Sequence, residues 1–332
     1  MKKLNVAVLG SGAFGNIHVE GYLNNPNCKV VAIACRTENH AMESANKYKI
    51  PKSYFGSKGW QDLLDKEDLD IVSICSPNYL HAPMILESIE KNVHILCEKP
   101  ICISFSELTN IEEKLTKNKI FFTSFQKRYN SLFPLIKQII DNKVLGEITL
   151  AKYHFSHYGP YKSWSAISDE KWFFDSEKAG GGVLLDLGVH CIDILRYLLG
   201  DYKKVEGINY NTSCIAMEEE DNCNVIFRFK NDSLAIISVS WCNQPSEILE
   251  LIGTKGNLRI NLMRNKITIR PITIKNQQDI RQLVQNRSSS KNTQHLLIDH
   301  FINCILQKKQ ESPNFEDGKR AVEFVLDAYS LK

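Results

Sequence analysis

The chain has 332 residues, 43% of them hydrophobic, and a formal net charge of +3. That length suits two domains with a core each, and the near balance of charge, with no dense Lys/Arg run interleaved with aromatics, argues against a nucleic-acid surface. No apolar stretch approaches the length that spans a bilayer, so no membrane partner is expected. Ten cysteines are present; Cys28, Cys35, Cys75, Cys97 and Cys191 sit in apolar strands and helices and none forms a CxxC pair, which reads as reduced thiols in a cytoplasmic protein without a metal site.

In chain order, the short apolar run Leu4 to Leu9 reads as a first strand rather than a signal peptide. It stops at Gly10-Ser11-Gly12-Ala13-Phe14-Gly15, and a helical segment runs on to about Asn25. Strand, GxGxxG, helix is the context in which this motif binds a dinucleotide. The first glycine permits the turn, the second admits the pyrophosphate, and the third lets helix and strand pack. Gly10, Gly12, Ala13, Phe14 and Gly15 are therefore candidate cofactor contacts.

A second strand, Lys29 to Cys35, ends where an acidic residue would bind the ribose of NAD; here Cys35 is followed by Arg36. A guanidinium beside a missing carboxylate tilts the choice between NAD and NADP toward NADP. The plainer alternative is a surface arginine, with Glu38 or backbone holding the ribose.

A helix (Glu38 to Tyr48), a strand near Tyr54 and a helix around Trp60 to Leu64 lead to the buried strand Ile71 to Cys75. Ser76, Asn78 and His81 follow it in a loop that opens the next helix. Ser76-Pro77 is also a plain helix start, but loops at the carboxyl ends of parallel strands line the cofactor crevice. Strand Val93 to Cys97 ends in Glu98-Lys99-Pro100. Lys99 is either half of a surface ion pair or a fixed ammonium that stabilises alkoxide charge. A helix from Ser104 and a strand from Ile120 to Phe125 complete a doubly wound sheet.

From Gln126 the pattern changes. A helix (Leu132 to Asn142) precedes a long strand from Glu147, and turns at Asn231-Asp232, Gly253 to Gly256 and Asn265-Lys266 separate strands in a mostly antiparallel sheet. The expected architecture is a Rossmann domain over 1–125 and an α+β domain over 126–332 on a large open sheet. One apolar face of that sheet suits a subunit interface in a homo-oligomer. Residues 276–292 read as a loop, and two helices close the chain.

Aromatics bunch between Phe155 and Phe174, most suited to packing and a minority to stacking on a sugar ring. Then comes Ala179 to Asp193, AGGGVLLDLGVHCID. Asp186, His190 and Asp193 stand four and three residues apart, hence on one face of a helix, among Val183, Leu184, Leu185 and Leu187. Such groups are either a buried pair fixing the helix or part of a site.

Taken together, GSGAFG, SPNYLH, EKP, FQKRYN, GGGVLLDLGVHCID and LIGTKGNLRI resemble the glucose-fructose oxidoreductase / inositol dehydrogenase / rhizopine catabolism (Gfo/Idh/MocA) family, over nearly the whole chain. The resemblance implies an NAD(P)-dependent oxidoreductase of a sugar, cyclitol or nucleotide-sugar, assembled as a dimer or tetramer through the C-terminal sheet. It implies Lys99 as the catalytic lysine and Asp186 with His190 as the Asp-x-x-x-His pair on the substrate side. Ser76, Asn78, His81 and Glu98 join the cofactor contacts, and Arg128, Tyr158 and Trp172 the substrate contacts. Two departures are Cys35, often acidic in the family, and Trp172-Phe173, often Trp-Arg. Alternatives on the same fold are an NAD(P)-binding sensor and an NAD-dependent glycoside hydrolase.

Overall fold

The structure is a computed structural model that describes residues 2–116, 118–164, 171–213, 219–271 and 292–332. It divides into two compact units. The first takes Met1–Gln126, Glu177–Gly180 and Lys291–Val322; the second takes Lys127–Ser176, Gly181–Ser290 and Glu323–Lys332. The first unit's long stretch ends at Gln126, and two later pieces of the chain cluster with it.

In the first unit, six strands, β1 (Leu4–Leu9), β2 (Cys28–Cys35), β3 (Lys52–Phe55), β4 (Ile71–Ile74), β5 (His94–Cys97) and β6 (Phe121–Thr123), form a sheet in the order β3-β2-β1-β4-β5-β6. Every pairing is parallel. Val6, Ala7, Val8 and Leu9 are all fully buried, as are Ile71, Val72 and Ile74. Continuous apolar strands are what burial on both faces demands. The helices are α1 (Ala13–Asn24), α2 (Glu38–Tyr48), α3 (Gly59–Lys66), α4 (His81–Glu90) and α5 (Phe105–Lys114). The last is capped by Ser104, whose side chain accepts from the Glu107 N–H, so it begins one residue later than the expected helix, and it ends at Lys114.

The late piece of this unit is built on α8 (Thr293–Gln307), which packs on α1. Asn25 Nδ2 donates to Asp299 Oδ1 at 2.7 Å. The apolar face of α8, Leu297, Ile298, Phe301 and Ile302, is fully buried, and sequence proximity gives no sign of which sheet that face covers.

The second unit carries α6 (Leu132–Asp141), α7 (Val189–Leu199) and seven strands: β7 (Ile148–Ser156), β8 (Tyr202–Asn211), β9 (Asn222–Phe229), β10 (Leu234–Ser240), β11 (Ser246–Gly253), β12 (Gly256–Asn261) and β13 (Lys266–Pro271). Their order is β13-β12-β11-β7-β10-β9-β8, antiparallel throughout except for β7 with β10. Alternation gives the sheet one dry face: Cys223, Val225, Phe227 and Phe229 of β9 face inward with Ala235, Ile237 and Val239 of β10. Strand β8 lay outside the expected set. β8 is an edge strand buried mainly at Tyr202, so it lacks the apolar alternation that marks a strand. The final helix, α9 (Phe315–Tyr329), ends the chain. Most of the expected loop over 276–292 lies outside the described residues. No helix among the described residues is long and apolar enough to cross a membrane.

Candidate active site

The first unit's candidate residues gather at the carboxyl ends of β1, β4 and β5. Gly10 has φ of 114°, and a Cβ there would stand 2.3 Å from Cys75 O; a Cβ at Gly15 would stand 1.9 Å from Gly10 O. Any side chain at either position would force the turn open. A Cβ at Gly12 would meet nothing within 4 Å, so backbone there is open to approach. Gly12 caps α1 without a side-chain hydrogen bond, and the first turn carries no carboxylate, which leaves N–H donors and the positive end of the helix dipole for an anion. The Ser11 and Ser76 hydroxyls are buried with no hydrogen-bond partner among the described residues. Buried hydroxyls of that kind call for a polar guest, so the donor set fits a dinucleotide. Phe14 is 48% exposed beside the turn, and Arg36, just past β2, is exposed.

Other predicted cofactor contacts make hydrogen bonds within the protein. Asn78 Nδ2 donates to Ala179 O at 2.9 Å. His81 is 1% exposed, its Nδ1 lying 2.6 Å from Pro100 O and its Nε2 2.8 Å from Ser76 O. Burial drives its pKa down against the pull of the two carbonyls, and a neutral ring donates to only one of them. His81 therefore joins the loop after β4 to the loop after β5 from behind. Glu98 is buried as well, with Oε1 accepting from His18 Nε2 at 2.9 Å, while His18 Nδ1 meets Ser73 Oγ at 2.7 Å. Burial works to raise the Glu98 pKa, but the His18 hydrogen bond and charge, with Ser124 and Lys99, hold it below the usual carboxylate range. His18 is fully buried and anchors this network. Lys99, half-buried, follows Glu98 at a cis peptide bond to Pro100.

In the second unit, the expected single helix over Asp186 and His190 is not regular. Leu184–Gly188 form one wide π turn and only Val189–Leu199 are α-helical. The face shared by Asp186 and His190 at a 3.6-residue period does not carry through the wide turn, and such turns recur at functional sites. The start of this segment is set by Glu220. Val183 N–H donates to Glu220 O at 2.9 Å, and Leu184 N–H to Glu220 Oε1 at 3.0 Å. A Cβ at Gly182 would stand 2.0 Å from that same Glu220 O, so only glycine admits the contact. Tyr329 OH donates to Glu220 Oε1 at 2.7 Å and Lys332 Nζ to Oε2 at 2.8 Å. Burial and the negative charge of Glu220 push the Tyr329 phenol up.

Each polar group of the stripe has its own surroundings. Asp186 Oδ2 accepts from Trp241 Nε1 at 3.1 Å, and Trp241 is itself 2% exposed. His190 is 6% exposed. Asp193 is 1% exposed and takes the Arg128 guanidinium in a fork, Nε to Oδ2 at 2.9 Å and Nη2 to Oδ1 at 2.5 Å. The structure thus places Arg128, expected at substrate, in a buried pair that fixes α7, which also accounts for Asp193. Tyr158 is half-buried under Lys162, 4.2 Å from its ring centre, and Trp172 is half-buried with its ring edge-on to Phe173. Tyr161 OH donates to Asp221 Oδ2 at 2.8 Å.

Ser11, Glu220 and Trp241 were not among the expected residues. Ser11 sits inside the glycine motif and was legible there. Glu220 stands in the acidic run Glu218 to Asp221, which by composition reads as solvated, and Trp241 ends a strand where an aromatic reads as core.

A family model described as "Oxidoreductase family, NAD-binding Rossmann fold" matches residues 4–125, and one described as "GFO/IDH/MocA C-terminal domain" matches 133–259. Myo-inositol 2-dehydrogenase of Thermotoga maritima is 24% identical over 275 residues, covering 80% of this chain and 78% of that protein. Levoglucosan dehydrogenase of Pseudarthrobacter phenanthrenivorans is 30% identical over 222 residues, covering 63% and 54%. Among solved structures, the WlbA dehydrogenase from Bordetella pertussis in complex with NADH and UDP-GlcNAcA matches with a TM-score of 0.88 at 19% identity, covering 99% of this chain and 95% of that one. That likeness is one of fold.

Proposed function

The chain belongs to the Gfo/Idh/MocA family of NAD(P)-dependent oxidoreductases, and from that premise we propose that its substrate is a secondary alcohol or ketone of a sugar, cyclitol or nucleotide-sugar. The relatives' names support a polyol. The observation that carries the reading is Asp186, held by Trp241 in the wide turn one step before His190.

When bound, the nicotinamide supplies the hydride acceptor or donor. Gly10, Gly12, Ala13, Phe14 and Gly15, with Ser11 and Ser76, hold the dinucleotide. Arg36, past a strand end that lacks a carboxylate, favours the 2′-phosphate of NADP. In the oxidative direction His190 takes the proton of the substrate hydroxyl, as a neutral imidazole near pH 7 can. Asp186 orients that ring or a neighbouring hydroxyl, and Lys99 stabilises the alkoxide as its negative charge develops. Tyr158 and Trp172 offer half-exposed aromatic surface for a sugar ring.

The test is a panel of sugars, cyclitols and nucleotide-sugars assayed with NAD and with NADP by nicotinamide absorbance. His190→Ala and Lys99→Ala should each lower kcat by roughly 10²- to 10⁴-fold with cofactor Kd unchanged. Full turnover in both variants sinks the assignment. Arg36→Ala should lower kcat/KM for NADP and spare NAD; equal loss for both removes the 2′-phosphate role.

The reading extends to a homodimer or homotetramer through the open face of the sheet. Ile226 pairs with Ile236, and on a neighbouring row Leu150 lies between Leu234 and Ile252, giving a patch of apolar residues flanked by Lys152 and Arg228, on which Ile226 is 47% and Leu234 36% exposed. Light scattering should show the oligomer and Ile226→Lys should split it. A cytoplasmic location is supported by nine cysteines among the described residues, all free.

A further inference from the structure

We propose that His300, Cys304 and Glu311, in the first unit, form a binding site for a borderline divalent cation of the zinc type. His300 and Cys304 stand one turn apart on α8, so their side chains share a face. The chain reverses at Lys308, whose φ is 54°, and Lys309 N–H donates back to Cys304 O at 2.9 Å. This returns Glu311 to the same face, with its Oε2 3.0 Å from His300 Nε2. One ligand atom from each of the three lies within 4.8 Å of the other two.

The frame around the three is fixed independently of them. Gln310 brackets the edge of β6 like a strand residue: its Oε1 accepts from Phe121 N–H at 3.0 Å and its Nε2 donates to Phe121 O at 3.1 Å. The His300 ring stands edge-on to Phe122 with centres 5.2 Å apart. Preorganised ligands of this sort lose little freedom when a metal binds.

An imidazole nitrogen, a thiol and a carboxylate suit Zn²⁺ or Co²⁺, whereas Mg²⁺ and Ca²⁺ prefer all-oxygen sets. Tetrahedral bonds of about 2.0–2.3 Å place ligand atoms roughly 3.3–3.8 Å apart. His300 and Glu311 stand close to that already, and Glu311 is 36% exposed in its side chain. Water completes the shell on the exposed side. Loading exchanges the S–H bond of Cys304 for a metal–sulfur bond, releases the thiol proton to solvent, and displaces Lys309 from Glu311. A surface His–Glu ion pair is worth little by itself.

The experiment is cobalt titration of the full-length protein after chelator dialysis. One equivalent should bind with a thiolate-to-cobalt charge-transfer band in the near ultraviolet, one proton released per ion, and the band erased by zinc. Cys304→Ser should remove the band. His300→Gln and Glu311→Gln should each weaken zinc binding by about tenfold or more; both residues are partly exposed, so these variants keep the test standing if Cys304→Ser does not fold. A band unchanged in Cys304→Ser, no band at all, or zinc affinity unchanged in both His300→Gln and Glu311→Gln overturns the site.

Discussion

Each unit holds a proposed catalytic segment that a buried carboxylate anchors, Glu98 in the first and Glu220 in the second, and these two carboxylates are secured in opposite ways. Glu98 follows β5 and meets His18 of α1 and Ser124 after β6, groups that the parallel sheet itself delivers to one end. Glu220 is gripped by Lys332, Tyr329 and the Leu184 N–H, groups from the chain's far end and from the segment it positions. The first carboxylate is a product of the sheet; the second helps to make its segment. Losing Glu98 should therefore disturb Lys99 locally, while losing Glu220 should release the whole start of the Asp186 turn.

The largest expected effect follows from that contrast. Glu220→Ala leaves the Tyr329 hydroxyl and the Leu184 N–H without their acceptor, while Lys332 keeps Glu219, and should cost about 1–3 kcal/mol of stability for each orphaned donor, read from urea unfolding. Glu98→Gln keeps a polar partner for His18 and should cost less, about 1–3 kcal/mol. Equal costs would erase the distinction between the two clusters.

Acid sensitivity sharpens it further. The folded Glu98 pKa lies below its ordinary 4.5, so its contribution to stability is complete above about that value and drains away as pH falls through the folded value. His94 acts over a different window. Its Nδ1 accepts from Ile120 N–H at 2.9 Å, which requires that nitrogen unprotonated, and burial with the nearby Lys119 lowers its pKa from 6.5 to about 4. As pH falls from 6.5 toward 4 the unfolded chain takes up a proton that the folded one refuses, so stability should decline across that range. His94→Asn should flatten the upper part of the urea-midpoint curve and Glu98→Gln the lower part. An upper slope that survives His94→Asn would place the sensitivity elsewhere.

The smallest effect expected is at Trp241. Trp241→Phe removes one donor to Asp186 and keeps the ring, so a loss of about 0.5–1.5 kcal/mol should appear as a few-fold fall in kcat with KM nearly constant. An unchanged kcat would make the Trp241 contact purely structural.

The first unit was legible because its signals are local. The glycines of residues 10–15, the apolar runs of β1 and β4, and Lys99 after β5 each state their environment within a few residues, and parallel strands with crossover helices leave few orders for the sheet. Within the second unit the turns were legible, but β8 was hidden by its mostly exposed edge position. The Asp186, His190, Asp193 spacing was visible while its meaning was not: the wide turn sets Asp186 apart from the α-helical register, and Arg128 claims Asp193.

By itself, the sequence determined the dinucleotide-binding fold, the family and the residue types from which a site could be built, since backbone conformation and strand burial are written in short-range patterns. Only the tertiary structure decided that α8 returns to the first unit, that His81 and Glu98 spend their polar atoms behind the strand ends, and that Glu220 is buried. Those outcomes depend on which distant group meets each desolvated charge, and the partners Lys332, Tyr329, His18 and Arg128 lie dozens of residues away, beyond the reach of any spacing rule.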